Sequence, residues 1–124
     1  MRRLLLLLPL CAPLFGGGCD SPSVPLPPPD LTAFSFGLTQ PGQLQVTGKP
    51  NSRHANARMY FLDLTGGEGT ITTAGGDGAF VTDPFPGLVG DKMQIYYDRP
   101  DGERSDGICG VVELDVVLTS VRCF

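Results

Sequence analysis

The chain has 124 residues, which is enough for one domain and too few for two of ordinary size. Its formal net charge is −4 and no basic cluster is visible, which argues against a nucleic-acid partner. The content of 17 Gly and 12 Pro is high for a helical protein, and a single His argues against a His-rich metal site. We therefore expect no cofactor.

The N-terminal residues have the pattern of an export signal. Arg2 and Arg3 precede an apolar run over residues 4–15, which Pro9 and Pro13 interrupt. Twelve helical residues span only about 18 Å, whereas the hydrocarbon core of a bilayer is roughly 30 Å thick. The pattern predicts a cleaved signal peptide over residues 1–18.

The end of this segment resembles the lipobox of bacterial lipoproteins, because the small residues Gly16, Gly17 and Gly18 directly precede Cys19. The resemblance implies that Cys19 carries a diacylglycerol on its sulfur and an acyl chain such as palmitate on its amine. Lipid chains of this kind anchor a protein stably to a membrane. The family prefers Leu where Gly16 stands.

The alternative is ordinary secretion, with Cys19 as a free thiol or a disulfide partner. Cys11 is the poorer lipidation candidate because the bulky Leu10 precedes it. We expect a lipid-anchored protein of the bacterial cell envelope. A periplasmic location and a surface location both stay open, and so does the membrane leaflet.

Residues 20–30 contain five prolines and predict a polyproline-like spacer. With Cys19 this gives a lipidated tether over residues 19–30, which would hold the following domain about 30 Å from the membrane.

Residues 31–124 alternate between apolar and other residues and contain no pattern typical of a long helix. Turn sequences recur every 8 to 12 residues, which predicts an antiparallel β-sandwich of about seven strands. One of these turns, Asp77-Gly78, favours a hairpin between 70–73 and 80–82. Pro86 and Gly87 are expected in a loop. The apolar positions of the alternating segments are Phe34, Phe36, Leu38, Leu44, Val46, Ala57, Met59, Phe61, Met93, Ile95 and Tyr97.

Cys109 and Cys123 are an even pair in an exported chain, and we predict a disulfide between them. Bridged Cα atoms lie within about 7 Å, so the chain must reverse direction between the two cysteines. The polar residues of Glu113-Leu114-Asp115 mark the place for that reversal.

Five segments in order resemble the bacterial Ig-like repeats of surface and adhesion proteins. They are Val46-Thr47-Gly48, Ala57-Arg58-Met59-Tyr60-Phe61, Ala74-Gly75-Gly76-Asp77-Gly78-Ala79-Phe80, Gly90-Asp91-Lys92-Met93-Gln94-Ile95 and Asp98-Arg99-Pro100-Asp101-Gly102-Glu103-Arg104-Ser105. Carboxypeptidase-regulatory-like and fibronectin-type-III-like sandwiches share similar turns and stay open as alternatives.

The resemblance implies an Ig-like sandwich used for display, spacing or adhesion, with no catalytic residues to carry over. We therefore expect a binding module rather than an enzyme, with an envelope protein or a glycan as its partner. The alternative is a small accessory subunit of a larger envelope complex. Gly75 stands where the family often has an Asp, so a calcium site at that turn would lack a ligand.

Two groups of side chains are further candidates for binding. Asp98, Asp101 and Glu103 could converge on Ca²⁺, although Asp also caps turns through its own backbone. Tyr60, Tyr96 and Tyr97 could form an exposed aromatic patch, unless the sandwich covers them. His54 lies in a polar segment and is expected to be a solvated loop residue without a catalytic partner.

Overall fold

The computed structural model describes residues 26–116 and 118–124. Their regular structure consists of strands and two short 3₁₀ turns, so the predicted all-β class is confirmed. The turns are Leu31–Ala33 and Ser52–His54, and neither is long and apolar enough to cross a membrane. The strands in the described residues are β1 (Phe34–Gln40), β2 (Gln43–Gly48), β3 (Arg58–Asp63), β4 (Gly69–Thr73), β5 (Phe80–Val81), β6 (Phe85–Pro86), β7 (Lys92–Asp98), β8 (Ile108–Val111) and β9 (Ser120–Val121).

These strands form two antiparallel sheets, an arrangement consistent with a β-sandwich. One sheet has five strands in the order β9-β8-β7-β3-β4. The other contains β1, β2 and β5 in that order, with β6 pairing to β2. The described residues thus form nine strands where about seven were expected. The difference arises from short strands, since β5, β6 and β9 have two residues each and β6 occupies a segment expected to be a loop.

The core lies between the sheets and is filled from alternate strand positions. Burial along β7 alternates at every residue, so that Met93, Ile95 and Tyr97 are buried. Met59 and Phe61 of β3 are buried in the same way. The period-two pattern predicts this result, because successive strand side chains point to opposite faces.

Three phenylalanines connect the two sheets. Phe61 of β3 contacts Phe34 of β1 and Phe80 of β5, with ring centroids 5.6 Å apart in each case. Gly48 pairs with Phe80 across the β2–β5 ladder, and a Cβ atom at Gly48 would overlap the Phe80 ring. A glycine is therefore required at position 48 for Phe80 to reach the core.

The Asp77-Gly78 segment forms a turn, but the predicted hairpin is wrong. The strand before the turn, β4, pairs with β3 in the five-stranded sheet, whereas β5 after it pairs with β2 in the other sheet. The turn therefore carries the chain from one sheet to the other. It is held on the domain by a hydrogen bond from the Asn51 amide to the Asp77 carbonyl oxygen (2.9 Å).

The predicted disulfide between Cys109 and Cys123 is present, with the two Cα atoms 5.2 Å apart. The chain reverses between them, so that β9 runs antiparallel to β8 and Val121 pairs with Cys109. Asp115 has a left-handed backbone (φ 59°) in the segment where the reversal was expected. Its amide donates a hydrogen bond to the Phe36 carbonyl oxygen (3.2 Å), which attaches the C-terminal loop to β1.

Residues 26–30 pack against the domain, although they were assigned to the spacer. The Leu26 side chain belongs to the buried core. The Tyr97 hydroxyl donates to the Pro27 carbonyl oxygen (3.0 Å), and an Arg53 guanidinium nitrogen donates to the Pro28 carbonyl oxygen (2.9 Å). The last five residues of the 19–30 tether are thus part of the folded unit, and the rest of it lies outside the described residues.

Removing the disulfide should lower the stability of the fold. The bridge closes a loop with a sequence separation of 14 residues, for which the chain-entropy treatment gives about 3 kcal/mol. Urea unfolding with and without a reductant measures this difference in the free energy of unfolding. The double variant Cys109→Ser, Cys123→Ser should unfold at the urea concentration of the reduced wild type, with or without the reductant. Equal stability of the oxidised and reduced wild type would contradict the expectation.

Candidate functional site

The outer face of the five-stranded sheet carries an aromatic pair at its centre. Tyr60 of β3 and Tyr96 of β7 face each other in the strand register. Their rings are stacked, with centroids 4.6 Å apart and an angle of 14° between the planes. Both tyrosines occupy strand positions that alternate with core residues, which is why they point outward.

Arg104 and Asp98 fix this aromatic pair in place. The Arg104 guanidinium carbon lies 5.2 Å from the Tyr60 ring centroid and 4.8 Å from that of Tyr96, within the range of cation–π contacts. Two guanidinium nitrogens donate to the two Asp98 oxygens at 2.7 and 3.0 Å. The Tyr60 hydroxyl donates to the same carboxylate at 2.9 Å.

The charges of this network stabilise each other. Hydrogen bonding from Arg104, with a further bond from Tyr60, lowers the pKa of the Asp98 carboxyl below its usual value. Asp98 in turn raises the pKa of Arg104. The Arg104 side chain is 58% exposed, so the ion pair adds little to the free energy of unfolding. Its main effect is to position the Arg104 guanidinium over the two tyrosine rings.

An open cavity of about 420 Å³ adjoins the tyrosine pair. We call this region the outer-face groove; Tyr60, Phe61, Leu62, Gly69, Thr70, Ile71 and Tyr96 line it. Ile71 of the edge strand β4 is 60% exposed and pairs with Tyr60 in the register. Half-buried aromatic rings beside an exposed aliphatic side chain are suited to contact with a partner or with the apolar face of a sugar.

Of the three candidates for an exposed aromatic patch, Tyr60 and Tyr96 lie on the outer face and are half-buried, whereas Tyr97 is buried. Tyr97 points into the core, and its hydroxyl donates a hydrogen bond to the Pro27 carbonyl oxygen. Burial raises its pKa above the usual value. Tyr97 directly follows Tyr96 in β7, and a step of one residue changes the face of a strand.

The three calcium candidates do not form a site. The Asp98 carboxylate accepts hydrogen bonds from Arg104 and Tyr60. Asp101 accepts a hydrogen bond from the Glu103 amide (2.9 Å) in the hairpin turn. Asp101 thus serves the turn, which was the alternative interpretation. In the described part of the chain, no group of three or more His, Cys, Asp or Glu side chains is arranged to hold a metal ion.

His54 is not a solvated loop residue, and that expectation is corrected. It is 0% exposed, stacks on Phe34 with 5.3 Å between ring centroids, and meets the Tyr97 ring edge-on at 5.5 Å. Its Nε2 atom accepts a hydrogen bond from the Asp30 amide (3.2 Å). Burial, aided by the nearby charge of Arg53, lowers the pKa of His54 to about 4.

Two buried carboxylates form a second polar centre that the sequence reasoning missed. Asp63 and Asp91 line a cavity of about 400 Å³ at one end of the sheets. Burial and the neighbouring Asp91 carboxyl raise the pKa of Asp63. A signal was available, because Asp63 continues the inward positions of Ala57, Met59 and Phe61 along β3.

Comparisons with protein-family models, curated proteins and solved structures found no match to this chain. The lipidation candidate Cys19 lies outside the described residues.

The burial of His54 makes the stability depend on pH. Its pKa is about 4 in the folded protein, against 6.5 for an unperturbed histidine, so the unfolded chain binds the proton more readily between these values. Stability is therefore retained above pH 6.5 and falls as the pH decreases toward 4, by about 3 kcal/mol from this residue.

Urea unfolding at pH 7 and at pH 4.5 tests this contribution in the wild type and in His54→Gln. The variant lacks the titrating ring, so its stability should decrease less between the two pH values. The carboxylates titrate in both proteins. The difference between the two proteins in their loss of unfolding free energy from pH 7 to pH 4.5 therefore isolates His54. An equal loss of unfolding free energy in the two proteins would show that His54 has the same pKa in the folded and unfolded chains.

Proposed function

We propose that the chain is a lipid-anchored, non-enzymatic Ig-like module of the bacterial cell envelope, which binds a partner through the outer-face groove. The observation that carries the proposal is the stacked Tyr60–Tyr96 pair beside the exposed Ile71. Arg104 and Asp98 hold this pair on the sheet, so little side-chain freedom is lost when a partner binds.

The disulfide and the sequence of the first residues support an exported location. A bridge between Cys109 and Cys123 persists in an oxidising compartment such as the periplasm or the cell surface. Gly16-Gly17-Gly18-Cys19 supplies the lipobox-like sequence for the anchor at Cys19. The antiparallel sheets supply the architecture that an Ig-like domain needs.

Residues 26–30 join the domain away from the outer-face groove. Pro28, Pro29 and Asp30 lie beside Ile108 of β8 and Ser120 of β9. These two strands form one edge of the five-stranded sheet, whereas β4 with Ile71 forms the other. The segment that leads to the anchor therefore joins the domain on the side away from Ile71.

The only imidazole is unsuited to catalysis, which supports a binding role. His54 is enclosed by Phe34 and Tyr97, and its Nε2 atom is engaged by the Asp30 amide. A general base must reach the proton of a substrate or nucleophile within hydrogen-bond distance. A small accessory subunit of a larger envelope complex is the second candidate, because the same groove could dock permanently against a larger protein.

Metabolic labelling with an alkyne analogue of palmitate tests the anchor. Cells that produce the wild-type chain should yield a labelled protein, and the Cys19→Ser variant should yield none. Cys11→Ser is the matched control and should be labelled like the wild type. An unlabelled wild type, or a labelled Cys19→Ser variant, would contradict lipidation at Cys19.

Photo-crosslinking in intact cells tests the groove. A photoreactive amino acid at Ile71 should give crosslinked products that are absent when it replaces Val81, a similarly exposed residue of the other sheet. A Tyr60→Ala, Tyr96→Ala background should sharply reduce the Ile71 products. One discrete product in stoichiometric yield indicates the accessory subunit, and products of equal yield at Val81 would contradict a contact role for the groove.

A further inference from the structure

The carboxylates of Asp63 and Asp91 meet at the end of the sandwich where β3 stops and β7 begins. Asp63 is the last residue of β3 and Asp91 directly precedes β7. The two strands are adjacent, and the Leu64 amide donates to the Lys92 carbonyl oxygen (2.8 Å) at this end. Both carboxylates are buried and line the cavity of about 400 Å³, whereas Glu68 lies at its exposed rim.

Backbone amides orient both carboxylates. Oδ1 of Asp63 accepts hydrogen bonds from the amides of Thr65 (2.9 Å) and Gly66 (2.8 Å). Oδ2 of Asp91 accepts one from the Leu88 amide (3.0 Å). These donors stabilise negative charge on one oxygen of each group and fix the direction of the other oxygen.

The second oxygen of Asp63 is buried without a partner. Asp63 is 0% exposed, and its Oδ2 atom has no hydrogen bond within the described residues. Two glycines that line the cavity flank this atom, since a Cβ at Gly66 or Gly87 would lie 3.3 or 3.2 Å from it. An unpaired buried carboxylate oxygen is costly, so either a positively charged group at this point or a proton held between the two carboxyls would stabilise the arrangement.

We propose that Asp63 and Asp91 bind one divalent cation of the calcium type. Ca²⁺ accepts six to eight oxygen ligands in irregular geometry, so two carboxylates can be completed by backbone carbonyl oxygens and water. Mg²⁺ fits less well, because it demands octahedral geometry and gives up its water reluctantly. With only two carboxylates, the affinity should fall in the range of about 0.1 to 1 mM that is typical of extracellular modules.

The cation would join segments that are separate in the chain. It would link the end of β3 to the loop before β7, which carries the exposed Leu88 and Val89. Binding to the folded state alone raises the unfolding temperature in proportion to the logarithm of ligand excess. The site is distinct from the outer-face groove, so it does not depend on the proposed function.

Thermal unfolding of the full chain, stripped with EDTA and then measured with and without about 10 mM CaCl₂ at pH 7, tests the site. The wild type should gain at least about 5 °C in Tm with Ca²⁺. Asp63→Asn preserves the shape and removes a charge, so this variant should lose the shift. Asp101→Asn is the matched control, because its acid lies in the exposed hairpin turn, and it should retain the shift.

Calorimetric titration of the wild type with CaCl₂ gives an independent measurement if Asp63→Asn fails to fold. About one bound Ca²⁺ per chain, with weaker binding of MgCl₂, supports the proposal. No binding by the folded wild type overturns it, and so does an equal shift in wild type and Asp63→Asn, since the cation would then lie elsewhere. The proposal would also be overturned if CaCl₂ left the Tm of the wild type unchanged and Asp63→Asn had a higher Tm than the wild type. That result would show that the two carboxyls share a proton instead.

Discussion

The contact of Phe34 with the opposite sheet is the interaction on which the rest of the structure depends. Its ring meets Phe61 from the five-stranded sheet and Phe80 from its own sheet, and it stacks on His54. His54 in turn accepts a hydrogen bond from the Asp30 amide, so the same cluster holds residues 26–30 on the domain. Aromatic rings bury large areas and favour edge-on or offset contacts, which explains how a single cluster can set the spacing of both sheets.

With the inner faces committed to this core, the outer face of the five-stranded sheet is available for contact. Tyr60 and Tyr96 are next to core residues in the chain, yet their rings face outward beside Arg104 and Asp98. The pairing of β9 with β8, reinforced by the disulfide, continues the sheet on the other side. A sheet that presents ordered aromatic rings is the physical basis of the proposed binding role.

Much of the fold could be predicted from the sequence, and the candidate site only in part. The alternation of Met93, Ile95 and Tyr97 identified the inward face of β7, and the cysteine count identified the disulfide. In β3 the alternation of Met59 and Phe61 leaves Tyr60 on the opposite face. His54 was misjudged because its polar neighbours suggested a solvated loop, whereas a 3₁₀ turn directs its ring into the core.

The sequence by itself determined most of the longer strands, the apolar side of strands such as β3 and β7, and which cysteines pair. These properties follow from local periodicity and from simple limits on chain geometry. Only the tertiary structure decided that β4 and β5 belong to different sheets and that Asp63 and Asp91 share one cavity. Such neighbours are set by the packing of residues far apart in the chain, which local patterns do not encode.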